Sequence, residues 1–147
     1  MKSVVLIALL AFTSLSVTAF QDNEKEAFLL RIQACPTIKF PCGPRSPMPS
    51  VCRNMRDAIR AGKPAQLHRI TDKAEIGRKR RASGCTKMVK PRGKSCDEYP
   101  FASTREGGTY AKTLLVPIRE NNKQGGLLSR FYKKYGIADG GCFNVRV

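Results

Sequence analysis

Histidine, acidic residues and long apolar runs are all scarce in this sequence, and each shortage excludes a class of protein. The single histidine, His68, lies in a polar stretch with no serine motif nearby, which argues against a Ser-His-Asp site. We expect it to be a surface residue rather than a catalytic base. The paired glycines lack the spacing and the Lys-Ser/Thr of a phosphate-binding P-loop. No Asn-x-Ser/Thr sequence occurs, so we expect no N-glycosylation.

The shortage of acids makes the chain very basic. There are 11 Asp and Glu against 27 Lys and Arg, which gives a formal net charge of +16. Such an excess favours an anionic partner, namely nucleic acid, an acidic polysaccharide or an anionic membrane face. The chain has 147 residues, of which 41% are hydrophobic, so it can form one domain with a hydrophobic core and is too short for two.

The one long apolar run lies at the N-terminus and predicts a secretory signal peptide over residues 1–19. Val4–Phe12 supplies the apolar stretch, and Val17 and Ala19 are the small residues expected before a cleavage site. An uncleaved membrane anchor is the alternative, but the stretch is shorter than the ~20 residues that a span needs. We therefore expect a secreted, extracellular protein that has no membrane association after cleavage, with a single domain over residues 20–147.

The cysteines are even in number, and in an oxidising compartment they predict three disulfide bonds. No Cys-x-x-Cys pair or Cys/His cluster of the kind used by zinc sites is present. The spacing does not select one pairing. The six residues are Cys35, Cys42, Cys52, Cys85, Cys96 and Cys142.

Helix signals dominate the first half of the domain. Apolar residues predict a short helix over Glu24–Gln33, followed by a Pro-rich, disulfide-tied loop over Cys35–Pro49. Ser50 is expected to cap a second helix that ends at Gly62. Its apolar face carries Val51, Met55, Ala58 and Ile59, and its polar face carries Arg53, Asn54, Arg56, Asp57 and Arg60.

A strongly basic stretch, Lys73–Lys94, follows and contains the run Arg78-Lys79-Arg80-Arg81. The run has three interpretations: a solvated charged surface, a phosphate-contacting patch, or a dibasic processing site. Charge runs are usually solvated, and only the charge excess of the whole chain favours phosphate contact.

The last third alternates strand and helix signals. Thr109–Val116 has the alternating pattern of a strand, which Pro117 ends. A helix is predicted over Asn122–Tyr135, and Cys142–Val147 is predicted as a final strand. The core side of this helix carries Leu127, Leu128, Phe131, Tyr132 and Tyr135, and Gly136 is placed to stop it.

The few carboxylates are clustered in sequence. Asp97-Glu98 and Glu106 fall in one short segment, and Glu120-Asn121 lies at the junction of the predicted strand and helix. Carboxylate and amide oxygens are the ligands that Mg²⁺ prefers. Neutralisation of neighbouring Arg and Lys is the alternative explanation for these acids.

Two motifs resemble those of the secreted NucA/NucB-type deoxyribonucleases. Cys96–Thr104 followed by Glu106-Gly107-Gly108 resembles the signature CDEYPFAST..EGG, and Glu120–Gly126 with the residues that follow resembles (D/E)N..(A/Q)G...L..FY. The tail from Asp139 resembles the family's closing DG..F.V strand. The resemblance covers roughly residues 49–147.

This resemblance implies an α+β domain with a ββα-metal core, in which a short antiparallel sheet packs against helices. It implies a sequence-non-specific endonuclease that needs Mg²⁺ or Mn²⁺ and hydrolyses DNA, with RNA as a further candidate substrate; we expect a monomer. Most ββα-metal enzymes use a histidine base, which this motif lacks, and an acidic residue is expected in its place. Carried over by position, Asp97 and then Glu98 are the catalytic candidates, and Asn121 with Glu120 the metal ligands.

Further residues are assigned supporting roles by the same resemblance and by charge. The supporting candidates are Glu106 and Gln124, and the phosphate-binding candidates are Arg78, Arg80, Arg81 and Arg105. Burial against Tyr99 and Pro100 would raise the pKa of the catalytic carboxyl and Arg105 would lower it.

A catalytically inactive, cationic, disulfide-rich protein that binds nucleic acid or acts as an antimicrobial fits the charge and the cysteines equally well. The joint presence of Asp97, Glu98, Glu106 and Asn121 favours the enzyme, because a pure binder gains nothing from carboxylates that face DNA. A metal-independent ribonuclease is disfavoured by the single histidine.

Overall fold

The structure is a computed structural model, and it describes residues 34–147 together with Lys25. The predicted signal peptide lies outside the described residues, and so does the predicted helix over Glu24–Gln33 apart from Lys25. In chain order the described elements are β1 (Thr37–Lys39), α1 (Pro49–Arg60), β2 (Gln66–His68), α2 (Lys73–Ala82), β3 (Lys94–Tyr99), β4 (Lys112–Pro117), α3 (Ile118–Lys134) and β5 (Cys142–Arg146). The predicted α+β class is confirmed.

The strands form two small sheets. In the first, β5 lies between β1, to which it is parallel, and β2, to which it is antiparallel. In the second, β3 and β4 pair antiparallel with Asp97 opposite Leu114. Strand β4 runs directly into α3, so β3, β4 and α3 make the ββα unit that the resemblance implies.

Helix α1 carries a polar side chain into the core. Val51, Met55 and Ala58 are fully buried, as predicted. Asn54 is also fully buried, at 0% exposure, so its assignment to the solvent-facing side was wrong. Its position explains this, because residues 51, 54, 55 and 58 follow the i, i+3, i+4, i+7 spacing of one helix face.

The start of α1 differs from the prediction that Ser50 caps it. Met48 occupies the N-cap position and Pro49 the first turn, where its fixed φ and missing N–H are tolerated. Ser50 instead donates its main-chain N–H to Oε2 of Glu120 over 2.7 Å. The predicted end is confirmed, since Gly62 follows the helix with a φ of +84°.

Helix α3 begins four residues earlier than predicted, immediately after Pro117. Leu128, Phe131 and Tyr132 are buried as predicted, whereas Tyr135 is 49% exposed because it lies past the last turn that packs on the core. The predicted final strand is confirmed as β5. The predicted strand over Thr109–Val116 is confirmed over Lys112–Pro117.

The basic helix α2 has no counterpart among the sequence predictions. It buries no residue, and therefore its sequence shows no apolar periodicity. Its start is fixed by Asp72, whose Oδ1 accepts the main-chain N–H of Ala74 at 2.8 Å. The run of residues 78–81 belongs to its last turns.

Three disulfide bonds staple the domain, as predicted. They are Cys35–Cys142, Cys42–Cys52 and Cys85–Cys96. The segment predicted as a disulfide-tied loop is indeed closed by Cys42–Cys52, but Thr37–Lys39 within it forms β1 and pairs with β5. None of the helices in the described residues is long and apolar enough to cross a bilayer.

Candidate active site

A cleft of about 550 Å³ lies along one face of α3, next to β3 and the end of α2. Its walls include five of the predicted site residues. These are Asp97 and Glu98 from β3, Asn121 and Gln124 from α3, and Arg80 from α2. Residues that are up to 44 positions apart in the sequence therefore meet in one depression.

Asp97 is the most deeply buried acid of the cleft, at 2% exposure. Its Oδ2 accepts a hydrogen bond of 3.0 Å from Nδ2 of Asn54. Burial raises the pKa of Asp97 to about 6, and outweighs the lowering effects of the hydrogen bond from Asn54 and of the nearby Gln124 amide. Nearby Glu120 raises this pKa a little further. From the sequence alone, the direction of this pKa shift was open, and burial decides it. Arg105, which was expected to lower the pKa, lies beside Gly140 outside the cleft.

Glu98 is the next residue of β3, and it lines the same cleft as Asp97 although the side chains of a strand alternate in direction. Burial raises the pKa of its carboxyl, while the charge of Arg80 and the nearby Ser83 hydroxyl lower it. Its Oε2 is buried and has no hydrogen-bond partner. An ionised oxygen without a partner is costly in such a place, and a bound cation would satisfy it.

Asn121 lies in the first turn of α3, and its amide nitrogen donates two hydrogen bonds. Nδ2 donates to Oγ of Ser95 and to the main-chain oxygen of Cys96, both at 3.0 Å. These two bonds fix the orientation of the amide, so that Oδ1 is the atom left to bind a cation or a water. Gln124, one turn later, is buried, and its Nε2 lies near Asp97 without a fully formed hydrogen bond.

Glu120 is not turned towards the cleft. Its Oε2 accepts the main-chain N–H groups of Ser50 at 2.7 Å and Val51 at 3.3 Å, and Oε1 lies 3.4 Å from the Ser50 hydroxyl. Oε2 thus satisfies two of the free N–H groups at the start of α1, and Oε1 accepts from the Ser50 hydroxyl. The structure thus places Glu120, predicted from the sequence as a metal ligand, at the start of α1 as a helix cap and not on the wall of the cleft.

Glu106 also lies outside the cleft, where it pairs with His68. Its Oε1 is 2.7 Å from Nδ1 of His68, and its Oε2 accepts the His68 main-chain N–H at 3.0 Å. Burial alone would raise the pKa of Glu106, but these hydrogen bonds lower it. The next residue, Gly107, has no room for a side chain, because a Cβ there would lie 2.2 Å from the Phe101 oxygen. The Glu-Gly-Gly turn is therefore a structural feature.

The Arg and Lys side chains that line the cleft are mostly not the ones predicted from the sequence. Of the four expected phosphate-binding residues only Arg80 lines the cleft. Arg78 lies in a separate shallow hollow beside Gly107 and Gly108, and Arg105 lies beside Gly140. Arg81 is exposed and is not part of the cleft wall. Three cations that were not predicted, Arg69, Lys90 and Lys133, do line the cleft.

Asn54 is the functional candidate that sequence reasoning missed. A signal was present, because position 54 falls within the apolar stripe of α1, and a polar residue in such a stripe needs a buried partner. That partner is Asp97.

A family model for the deoxyribonuclease NucA/NucB family matches residues 54–146, which is well over half of the chain. The chain belongs to this family. No curated protein matches it. The NucA/NucB match begins at Asn54 and includes the whole ββα unit and every residue named above as lining the cleft. Membership makes the chain a nuclease of the deoxyribonuclease class, and the three disulfides together with the family suggest an extracellular protein.

The donor set of the NucA/NucB cleft fits a hard divalent cation better than zinc. Among residues 34–147 no three His, Cys, Asp or Glu side chains cluster as a metal site. Mg²⁺ does not need such a cage, since it is usually held by one or two protein oxygens, several waters and substrate phosphate. The Asn121 amide oxygen and the unpartnered Oε2 of Glu98 are oxygens of this kind.

Proposed function

We propose that this protein is a secreted, metal-dependent, sequence-non-specific endonuclease that hydrolyses DNA phosphodiester bonds with an aspartate as general base. The observation that carries the proposal is the buried Asp97 carboxyl, with its pKa of about 6, in the same cleft as the Asn121 amide and four cations. A domain that only bound polyanions would gain nothing from a carboxylate buried there.

Asp97 is the residue that we assign to the attacking water. A carboxyl with a pKa near 6 is ionised at neutral pH and is a stronger base than an ordinary aspartate. Asn54 binds Oδ2, which leaves Oδ1 as the atom that orients the water and accepts its proton. Because the single histidine is paired with Glu106 away from the cleft, the acid takes the place of the usual histidine.

The cation would be held by Asn121 through Oδ1 and by Glu98 through Oε2. Bound Mg²⁺ or Mn²⁺ would polarise the scissile phosphate and stabilise the leaving 3′ oxygen. Arg80, beside Glu98, neutralises phosphate charge and limits the repulsion between the substrate and the two carboxylates.

Low sequence preference follows from the kind of contacts that the cleft offers. Its cations bind phosphates, which position a duplex without reading bases. Secretion is supported by the apolar stretch at residues 4–12 and by the three disulfides.

Plasmid digestion with Mg²⁺, with Mn²⁺ and with EDTA tests the proposal. The wild-type protein should nick and linearise the plasmid only when a divalent ion is present. Asp97→Ala should lose at least about 100-fold in rate, the contribution of a general base. Asn121→Ala should need more metal to reach half-maximal rate.

A matched control is Asp57→Ala, which removes a carboxylate from the partly exposed side of α1 outside the cleft. It should digest plasmid at the wild-type rate. Cleavage in EDTA, or full activity in both site variants, would contradict the proposed site. DNA binding without cleavage under any condition would identify the inactive cationic binder instead.

A further inference from the structure

The cleft continues well beyond the proposed catalytic residues. The α3 residues that line it are Asn121, Gln124, Gly125, Leu128, Ser129, Tyr132 and Lys133. They recur every three or four positions and so form one face of the helix. At a rise of about 1.5 Å per residue, the distance along α3 from position 121 to position 133 is about 18 Å. One end of the cleft holds the proposed site, and the other end is unassigned.

The unassigned end is basic and carries hydroxyl groups. Arg69 and Lys133 line it together with Ser103 and Ser129. Among the described residues that line the cleft, the only carboxylates are Asp97 and Glu98, which belong to the other end. The one salt bridge found within residues 34–147 joins His68 to Glu106, so neither Arg69 nor Lys133 is neutralised by an acid.

Arg69 is held in place rather than free in solution. Its guanidinium lies 4.5 Å from the centre of the Tyr132 ring and donates a hydrogen bond to the main-chain oxygen of Ile137. Its main chain is fixed by bonds to Gly141 at 2.9 Å and from Gly140 at 2.8 Å. A cation oriented in this way loses little freedom when it binds an anion.

We propose that Arg69, Ser129 and Lys133 form a second phosphate subsite, which holds a backbone phosphate of the substrate several nucleotides from the one that is cleaved. The inference rests on the proposed function for its substrate. A length of 18 Å equals about five base-pair rises of B-form DNA, so a duplex can reach both ends of the cleft at once. The subsite makes no base contacts and therefore favours longer polyanions without selecting sequence.

The test compares two neighbouring lysines on α3. Lys133 lines the cleft, whereas Lys134 is also exposed but lies 5.2 Å from the Tyr135 ring and is not part of the cleft wall. With a duplex of about 30 base pairs, Lys133→Gln should raise KM by about three- to tenfold and leave kcat unchanged. The slope of log(kcat/KM) against log[salt] should become shallower by about 1, the loss of one phosphate contact. Lys133→Arg should restore both, and Lys134→Gln should change KM by less than about twofold.

Equal effects of Lys133→Gln and Lys134→Gln would overturn the subsite, because they would show only the loss of one charge from a very basic protein. No change in either variant would overturn it as well. If the wild-type protein cleaves nothing, the proposed function fails, and the subsite is then measured separately. The dissociation constant of the same duplex in EDTA should still rise for Lys133→Gln and not for Lys134→Gln.

Discussion

Nδ2 of Asn54 lies 3.0 Å from Oδ2 of Asp97, and the two side chains are 0% and 2% exposed. The same nitrogen lies 3.4 Å from the main-chain oxygen of Lys112 on β4. One amide on α1 thus contacts both strands of the ββα unit and the acid proposed as its base. Because Asn54 is fully buried and is not part of the cleft wall, we assign it the role of positioning Asp97.

Asn54→Ala should therefore shift the pH dependence of cleavage. The hydrogen bond from Asn54 favours the ionised carboxylate, so its loss raises the pKa of Asp97 above about 6. The acid limb of the kcat/KM profile should move to higher pH. Stability should fall by about 1–3 kcal/mol, because a buried acceptor loses its donor. Arg53→Ala, an exposed neighbour on α1, is the control, and an unmoved acid limb in Asn54→Ala would contradict the positioning role.

Asp97→Asn should lose activity and gain stability at neutral pH. Burial raises the pKa from its ordinary 3.8 to about 6, so the folded protein holds this proton more tightly than the unfolded chain. The resulting stabilisation is full below pH 3.8 and is lost as pH rises through 6. At pH 7 the wild type carries a buried charge that the variant lacks, and Asp97→Asn should be about 1–3 kcal/mol more stable.

Urea unfolding in EDTA between pH 4 and pH 8 would measure this difference. The advantage of the variant should shrink as pH falls and disappear near the ordinary pKa of aspartate, 3.8. An advantage that is constant across the range would mean that it does not come from ionisation of Asp97.

Removal of the Cys85–Cys96 disulfide should cost activity as well as stability, because Cys96 directly precedes Asp97. A matched control exists in Cys42–Cys52, whose sequence separation of 10 is close to the 11 of Cys85–Cys96. Chain entropy gives both bridges about 3 kcal/mol of stabilisation.

The two double Cys→Ser variants should accordingly unfold at similar urea concentrations. When both are assayed well below their melting temperatures, only the variant lacking Cys85–Cys96 should lose kcat. Equal kcat values in the two variants would show that Cys85–Cys96 does not hold the proposed site in its active geometry.

Glu120→Ala and Asn121→Ala should have different effects although the residues are adjacent. Glu120 accepts N–H groups at the start of α1, so its loss should destabilise the protein by about 1–2 kcal/mol. The metal concentration for half-maximal rate should be unchanged in Glu120→Ala and should rise in Asn121→Ala. Thermal unfolding and a Mg²⁺ titration of the cleavage rate distinguish the two roles. A higher Mg²⁺ concentration for half-maximal rate in Glu120→Ala would show that Glu120 is a metal ligand after all.

Sequence predicted the parts of the fold whose apolar residues follow a helix or strand period. Helix α3 and strand β5 were found for this reason, and α1 was found with its correct end. Helix α2 was missed because it buries nothing, and β1 and β2 were missed because three-residue strands are too short to show alternation.

The candidate site was predicted less completely, for a reason that concerns side-chain direction. The motif gave Asp97, Glu98 and Asn121, which do share the cleft. It also gave Glu106 and Glu120, whose carboxylates bind His68 and the start of α1 instead. Sequence neighbours need not face the same way, and the partners of a carboxylate, such as a helix N-terminus 70 residues away, are set by tertiary packing.

The Cys35–Cys142 bond determines what a protease cut within α2 would do to the molecule. The bond joins residues 107 positions apart, so it closes a covalent ring that contains nearly the whole described domain, including α2. If a protease cut the exposed run at Arg80-Arg81, one piece would carry Cys35 and the other Cys142. The two pieces would stay joined, with Arg69 and Lys133, which line the same end of the cleft, on different pieces of one molecule. Nicked protein would thus keep its full mass without reductant and separate into two bands with it.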